Sequence, residues 1–422
     1  MGNKAVFVIH PFQQHSFKTA EALKECGILR RYITTAYNKK GSWTNRYQWL
    51  LSKENQARSE KRKSIVLQDD EVLQFCEVRS LFLLLLQRVD KSRRIYNWYF
   101  QRIIKLFNTK VFRIIEKERP DAIIVYDTLC ADLIKRIKEN NLDIKVIVDM
   151  SAPYYNYMEK EFIKDSKRYP QYSKDMLNML ESSIYSYRRA YSEIEISLAD
   201  AFLVASKFTE KSLKESGVKS PIYQCQYGID DFINLDRNSQ INKHNTRLPL
   251  KVIYVGRVNQ AKGAYLLIDV ANYFNSKEVT FDFFGSYDET TDVVKNAPLN
   301  CVFHGHVPRQ TMHKAYTNAD LLILPTLADG FGFVIPEALS YGLPVVCSRN
   351  AGASQFIKEG ENGFVYDVGN KEYLVELLKN VVIKPNLLDQ MRATAVDSVN
   401  NLTWSNYNQQ VRTAINDIFQ IS

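Results

Sequence analysis

Short apolar runs alternate with helical patterns of mixed polarity along the whole 422-residue chain. In the first half the runs are AVFVI (5–9), AIIVY (122–126), KVIVD (145–149), AFLVA (201–205) and IYQCQ (222–226). They are rich in β-branched and aromatic residues and too short for helices, which predicts strands. Amphipathic stretches such as HSFKTAEALKEC, CADLIKRIKENN and KFTEKSLKESG follow several of them. A polar segment without periodicity, DRNSQINKHNTRLP (236–249), then reads as a linker. The alternation resumes in KVIYVG (251–256), TFDFFG (280–285), CVFHG (301–305), LLILP (321–325), PVVC (344–347) and GFVYD (363–367). Near-continuous apolar strands separated by helices predict parallel sheets covered on both faces. The expected architecture is α/β, with two Rossmann-like doubly wound domains (1–235 and 250–403) facing a central cleft. Ligands of such sheets bind beyond the carboxyl ends of the strands, so the cleft is where chemistry is expected.

The composition, 45% hydrophobic and 24% charged, is that of a globular protein. The longest aliphatic and aromatic run, LFLLLL (81–86), is far short of the roughly 20 residues a membrane-spanning helix needs. The N-terminus MGNKAVFVIHPF reads as a first strand and not as a secretory signal. The six cysteines are scattered without a C-x-x-C pair, so buried free thiols and a cytoplasmic location are expected. The net charge of +9 is uneven. Eleven Lys and Arg and three acids fall within 79–119, giving that stretch +8, among Tyr96, Trp98, Tyr99, Phe100, Phe107 and Phe112. Two readings stand open: an amphipathic core helix with a solvated basic face, or a face that lies on anionic lipid at the inner plasma membrane. No nucleic-acid-binding motif accompanies the charge, so no nucleic-acid partner is expected.

Candidate chemistry follows strand ends in the second half. After KVIYVG come Arg257 and Lys262, the latter beside Gly263 at the start of AYLLIDVANYF. Two cations at a helix N-terminus favour an anion, phosphate first, although solvated surface cations would look the same. The glycines form neither a P-loop nor G-x-G-x-x-G. After LLILP comes LADGFGFVIPEAL, in which Gly330, Phe331, Gly332 and Phe333 bring backbone N–H groups close to a ligand. Asp329 and Glu337 stand eight positions apart around this turn, and each alone is also an ordinary turn or helix-start residue.

In combination these residues resemble family 4 of the retaining glycosyltransferases, whose two-domain fold is called GT-B. The resemblance is firm from 251 to 383, and looser over LADAFLVASKFTEKSLKESGV…YGIDDF (198–232). TWSNYNQQVRTAINDIF (403–419) looks like the family's final helix, which implies that 404–422 packs back on the first domain. The resemblance implies a nucleotide-diphosphate sugar, UDP- or GDP-linked, as donor and a glycan or lipid-linked acceptor in cell-surface polysaccharide or glycoconjugate synthesis. Arg257 and Lys262 would bind the diphosphate, and amides of residues 330–333 the phosphate and sugar. Glu337 would meet the ribose, Asp329 a sugar hydroxyl, and Phe303 in VFHGHVP the base.

The chain departs from that pattern at three places. Asp329 stands where Glu is usual. HPFQQHS, with His10 and His15, replaces a glycine-rich acceptor turn. Asp149 in VIVDMSAPYY stands near where many members carry His, and its carboxylate would stabilise charge at the anomeric carbon, orient the acceptor, or simply form a buried turn. No D-x-D triplet occurs, so neither a metal nor another cofactor is expected. A sugar-nucleotide epimerase, a phosphorylase and a non-catalytic sugar-nucleotide-binding protein remain as alternatives.

Overall fold

The computed structural model describes residues 4–12, 15–46, 56, 60, 62–90, 92–229 and 246–420. Residues 236–245 of the expected linker, and Gln13 and Gln14 of HPFQQHS, lie outside them. The first sheet comprises β1 (Val6–Ile9), β2 (Leu29–Thr34), β3 (Val72–Gln74), β4 (Ala122–Tyr126), β5 (Lys145–Met150), β6 (Ala201–Val204) and β7 (Ile222–Gln224). Its order is β3-β2-β1-β4-β5-β6-β7, parallel throughout. The second comprises β8 (Leu250–Val255), β9 (Val279–Phe284), β10 (Cys301–Gly305), β11 (Leu321–Leu324), β12 (Val345–Ser348) and β13 (Gly363–Tyr366). Its order, β10-β9-β8-β11-β12-β13, is also parallel. Every run singled out in the sequence forms a strand. β2 and β3 are additional, because LRRYIT opens with exposed or half-buried arginines and β3 is a three-residue edge strand.

The longer helices are α1 (Ser16–Glu25), α2 (Glu77–Val89), α3 (Arg94–Glu118), α4 (Ala131–Glu139), α5 (Tyr155–Arg168), α6 (Lys174–Glu181), α7 (Ser183–Leu198) and α8 (Lys207–Lys214). In the second half they are α9 (Ala264–Ala271), α10 (Arg309–Asn318), α11 (Val334–Ser340), α12 (Lys371–Ile383), α13 (Asn386–Asp397) and α14 (Trp404–Gln420). β1, β4, β6, β11 and β12 are buried along their whole length, as expected for central strands covered on both faces.

The basic stretch folds as two helices and not one. Asp90 ends α2, and its carboxylate accepts from Ser92 Oγ (2.7 Å) and from the Tyr96 amide (2.8 Å), capping α3. α3 buries Phe100, Ile103, Ile104, Phe107, Val111 and Ile115. The two helices nevertheless leave Val78, Phe82, Leu85, Val89, Ile95 and Trp98 exposed.

Among the described residues, α14 and a packed seam bind the halves together. α14 returns to the first sheet and packs along α1, placing Tyr407, Val411, Ala414, Ile415 and Ile418 in the first core. Thr19 Oγ1 lies 2.7 Å from the hydroxyls of both Tyr126 and Tyr407. At the seam, Phe162, Met176 and Phe208 pack with Leu327 and Ala328. Polar contacts reinforce it: Arg168 Nη1 donates to the Val368 carbonyl (2.6 Å) and Gln260 Nε2 to Asp165 (2.8 Å).

Candidate active site

On the second-domain side, β8 ends in the loop 256–262, and Gly263, with φ of 71°, immediately precedes α9. A Cβ at Gly263 would collide with the Pro325 carbonyl, so the loop lies tight against the end of β11. This closeness carries Lys262 to the turn after β11, where its Nζ is 2.5 Å from Asp329 Oδ2. Asp329 is held by its backbone, its amide donating to Asn350 (3.0 Å) and its carbonyl accepting from Gly352 (2.9 Å).

The turn at 330–333 then opens α11. Gly330 lies against the Ser151 and Ala152 backbone of the other domain, a contact that a Cβ would prevent. Its carbonyl accepts from Ser206 Oγ at 2.6 Å. Phe331 is buried in the first domain's core, while Phe333 stacks on Tyr227 with ring centroids 5.5 Å apart. Within α11 the Ile335 amide donates to the Gly332 carbonyl and the Glu337 amide to the Phe333 carbonyl (both 3.0 Å), and Pro336 has no N–H, so a ligand would meet the amides of the 330–333 turn.

On the first-domain side, His15 immediately precedes α1, and Asp149 lies near the end of β5. His15 Nε2 is 3.0 Å from Asp149 Oδ2, and both side chains are nearly buried. With Asp149 ionised, Nε2–H is the donor, which fixes the tautomer and the ring orientation. Tyr126, Tyr227 and Tyr407 surround the imidazole. Burial, and then the Asp149 charge, push all three phenols well above their ordinary pKa, so they serve as neutral walls and not as bases. Asp127 sits beside them, its Oδ1 accepting from the Ser151 amide (2.9 Å) and hydroxyl (2.8 Å).

Between the domains lies a cavity of about 650 Å³. His15, Lys262, Asp329, Phe331, Gly332 and Phe333 line it, joining residues singled out from both halves of the sequence. Others stand elsewhere. Asp149 does not line the cavity but lies behind His15, so it reaches a ligand only through the imidazole. Arg257 lines a separate cavity of about 360 Å³ with Tyr287 and Asp175, on the same 256–262 loop. Phe303 packs between Phe283 and Tyr287, with centroids 5.0 and 5.2 Å away. Glu337 lies one turn into α11 and accepts from the Tyr316 hydroxyl at 3.0 Å. His10 is buried, takes the Phe12 amide on Nδ1 (2.8 Å), and lines a third cavity within the first domain. Sequence reading missed Ser151, Tyr227 and Trp404, which also line the main cavity. Only Ser151, two residues beyond Asp149 at a strand end, carried a positional signal.

Residues 236–397 match the family described as glycosyl transferases group 1. The chain is 22% identical over 264 residues to an uncharacterized 41.2 kDa protein in the cps region of Klebsiella pneumoniae, covering 60% of this chain and 72% of that one. It is 26% identical over 185 residues to the capsular polysaccharide biosynthesis glycosyltransferase CapM of Staphylococcus aureus, covering 41% of this chain. The chain spans less than half of CapM, 48%. Among solved structures, sucrose-phosphate synthase of Thermosynechococcus elongatus superposes with a TM-score of 0.62 at 14% identity, covering all of both chains. Anabaena HepE in complex with UDP-glucose gives 0.58 at 14% identity, over 98% of this chain and 100% of that one. The fold is therefore that of these two-domain enzymes, GT-B.

Proposed function

We propose that this chain is a glycosyltransferase that moves a sugar from a nucleotide-diphosphate sugar to a glycan or lipid-linked acceptor, with retention, in cell-surface polysaccharide synthesis. One observation carries the reading. Two charged or polar pairs on different domains, Lys262 with Asp329 and His15 with Asp149, are held at one interdomain cavity beside the Gly-Phe-Gly turn. The match of 236–397 to the group 1 family and the likeness to CapM support the transferase class and the polysaccharide role. The superposition on HepE with UDP-glucose supports a nucleotide sugar as donor, and the reading takes its base as uridine or guanosine.

In this reading the sugar lies in the larger cavity. Lys262 and the amides of the 330–333 turn stabilise the leaving diphosphate, the electrostatic task on which such a transfer depends. Arg257 serves the diphosphate from the adjoining cavity, and Glu337 the ribose. Asp329 accepts a sugar hydroxyl once a phosphate draws Lys262 away. His15, oriented by Asp149, holds a hydroxyl of the sugar or acceptor at the face opposite the diphosphate. No divalent ion takes part, so turnover survives EDTA. The exposed apolar and basic side of α2 and α3 lies on the anionic inner face of the plasma membrane, close to lipid-linked acceptors. Among the described residues no helix is long and apolar enough to cross a membrane.

The test is a thermal-shift screen of nucleotide sugars followed by turnover with candidate acceptors. Binding to the folded state raises the midpoint by mass action. A shift with one nucleotide sugar and acceptor-dependent release of its nucleoside diphosphate is expected. Binding without turnover would make this a binding protein, and acceptor-independent conversion of the donor would make it an epimerase.

A further inference from the structure

The first domain contains its own cavity of about 460 Å³, which shares Ser151 with the interdomain one. It lies at the ends of β1, β2, β4 and β5, and Leu83, Tyr96 and Phe100 of α2 and α3 wall it. Two guanidinium groups line it, Arg62 and Arg188, and neither forms an ion pair among the described residues. Arg188 lies 5.6 Å from the Phe100 ring centroid. Burial lowers the pKa of Arg62, the mark of a cation held out of water without a compensating acid. The carboxyl in the lining, Asp127, is engaged by Ser151, and burial raises its own pKa toward the neutral form. A cavity with two arginines that form no ion pair, and one carboxyl already engaged by Ser151, favours an oxyanion, and the planar guanidinium fork suits phosphate oxygens two at a time.

Resting on the transferase reading above, we propose that this cavity holds a phosphate-bearing acceptor. Its phosphate is clamped by Arg62 and Arg188, and its reacting sugar points past Ser151 into the donor cavity. The same helices that wall the cavity expose Phe82, Leu85, Val89 and Trp98 on their outer side, where an attached hydrocarbon would find an apolar path.

Calorimetry on the full chain tests this with three probes: farnesyl diphosphate, inorganic pyrophosphate and farnesol. Farnesyl diphosphate is expected to bind at least tenfold more weakly to Arg62→Gln and to Arg188→Gln, with thermal midpoints confirming that both variants fold. Should a glutamine variant not fold, Arg188→Lys, which keeps the charge and loses the fork, gives an intermediate affinity. Lys262→Ala, which removes the cation of the other cavity, retains the probe. A tenfold preference for farnesyl diphosphate over pyrophosphate assigns a lipid-linked acceptor. Equal affinities, both lost in the arginine variants, assign a water-soluble phosphorylated one. Unchanged affinity in the arginine variants, binding abolished by Lys262→Ala alone, or equal binding of farnesol overturns the proposal. Because these probes need no donor, farnesyl diphosphate binding that depends on both arginines, without any nucleotide-sugar binding, would keep the phosphate site and sink only the transferase reading that makes its ligand an acceptor.

Discussion

At the residue scale, the pair of Lys262 and Asp329 is the contact most directly open to test. The ammonium now held 2.5 Å from a carboxylate is offered a stronger anion when a diphosphate enters. Lys262→Ala is expected to lower turnover by at least 10- to 100-fold, roughly 1.4–3 kcal/mol of lost charge contact, and to weaken nucleoside diphosphate binding in calorimetry. His15 and Asp149 form a second unit. If Asp149 acts only by orienting the imidazole, His15→Ala and Asp149→Asn lower kcat/KM to a similar level. The double variant then falls no further, which a double-mutant cycle reads directly. Lys262, Asp329 and the Gly-Phe-Gly turn were legible because each follows a strand end within one domain. The pairing of His15 with Asp149 was not, because 134 positions separate them and only the order of β1, β4 and β5 brings them together. Which of the two reaches the cavity depends on side-chain depth, for which spacing gives no sign.

At the element scale, the pair α2 and α3 leaves both readings of its sequence open: one side is packed core and the other is exposed, apolar and basic. Phe82, Leu85 and Val89 recur along one side of α2, and the Arg102 guanidinium sits 4.3 Å from the Trp98 ring centroid. Each Lys or Arg near an anionic surface contributes about 1 kcal/mol, screened by salt over roughly 8–10 Å. The protein is therefore expected to sediment with anionic vesicles at low salt and to be released at high salt. Changing Arg93, Arg94, Arg102 and Lys105 to Glu abolishes the binding while donor binding persists; equal sedimentation with neutral vesicles would refute the electrostatic part. α4 offers a different test. Its start is held by Glu195 of α7, whose carboxylate accepts the amides of Thr128, Leu129 and Cys130 at 2.5, 2.9 and 2.7 Å. Burial pushes Glu195 from its ordinary value of 4.5 up to about 8, against the pull of those three amides. A raised acid binds its proton more tightly folded than unfolded, so its contribution to stability is complete below about pH 4.5 and is lost as pH rises through 8. Glu195→Gln should flatten that part of the dependence of thermal midpoint on pH. No feature of the sequence marked Glu195, because a buried carboxylate on a mixed-polarity helix looks like any surface acid.

At the scale of the whole molecule, the alternation of runs was enough to read two parallel sheets, while the seam between them was not visible. Gly330, read as a residue that admits a ligand, is also where the domains touch, against Ser151 and Ala152. α14 ties the halves a second time. Removing residues 404–420 takes Tyr407, Val411, Ile415 and Ile418 out of the first core, where each fully buried aliphatic side chain is worth about 1.5–3 kcal/mol. Such a truncation is expected to lower the melting temperature sharply or leave the protein insoluble, although the second sheet is untouched. Tyr407→Phe, which removes only the hydroxyl at Thr19, should cost about 1 kcal/mol.

The return of α14 also sets an order of events during synthesis. A chain leaving the ribosome from its N-terminus normally completes its first domain before the second has emerged. Here the first domain waits for residues 404–420 to be translated, with the α1 surface that α14 will cover still open to water. The second domain, whose strands run from 250 to 366, can close earlier. The half synthesised first is thus finished after the second, and a nascent chain whose first 400 residues have cleared the ribosome should present a folded second domain beside an unfinished first one that chaperones still bind.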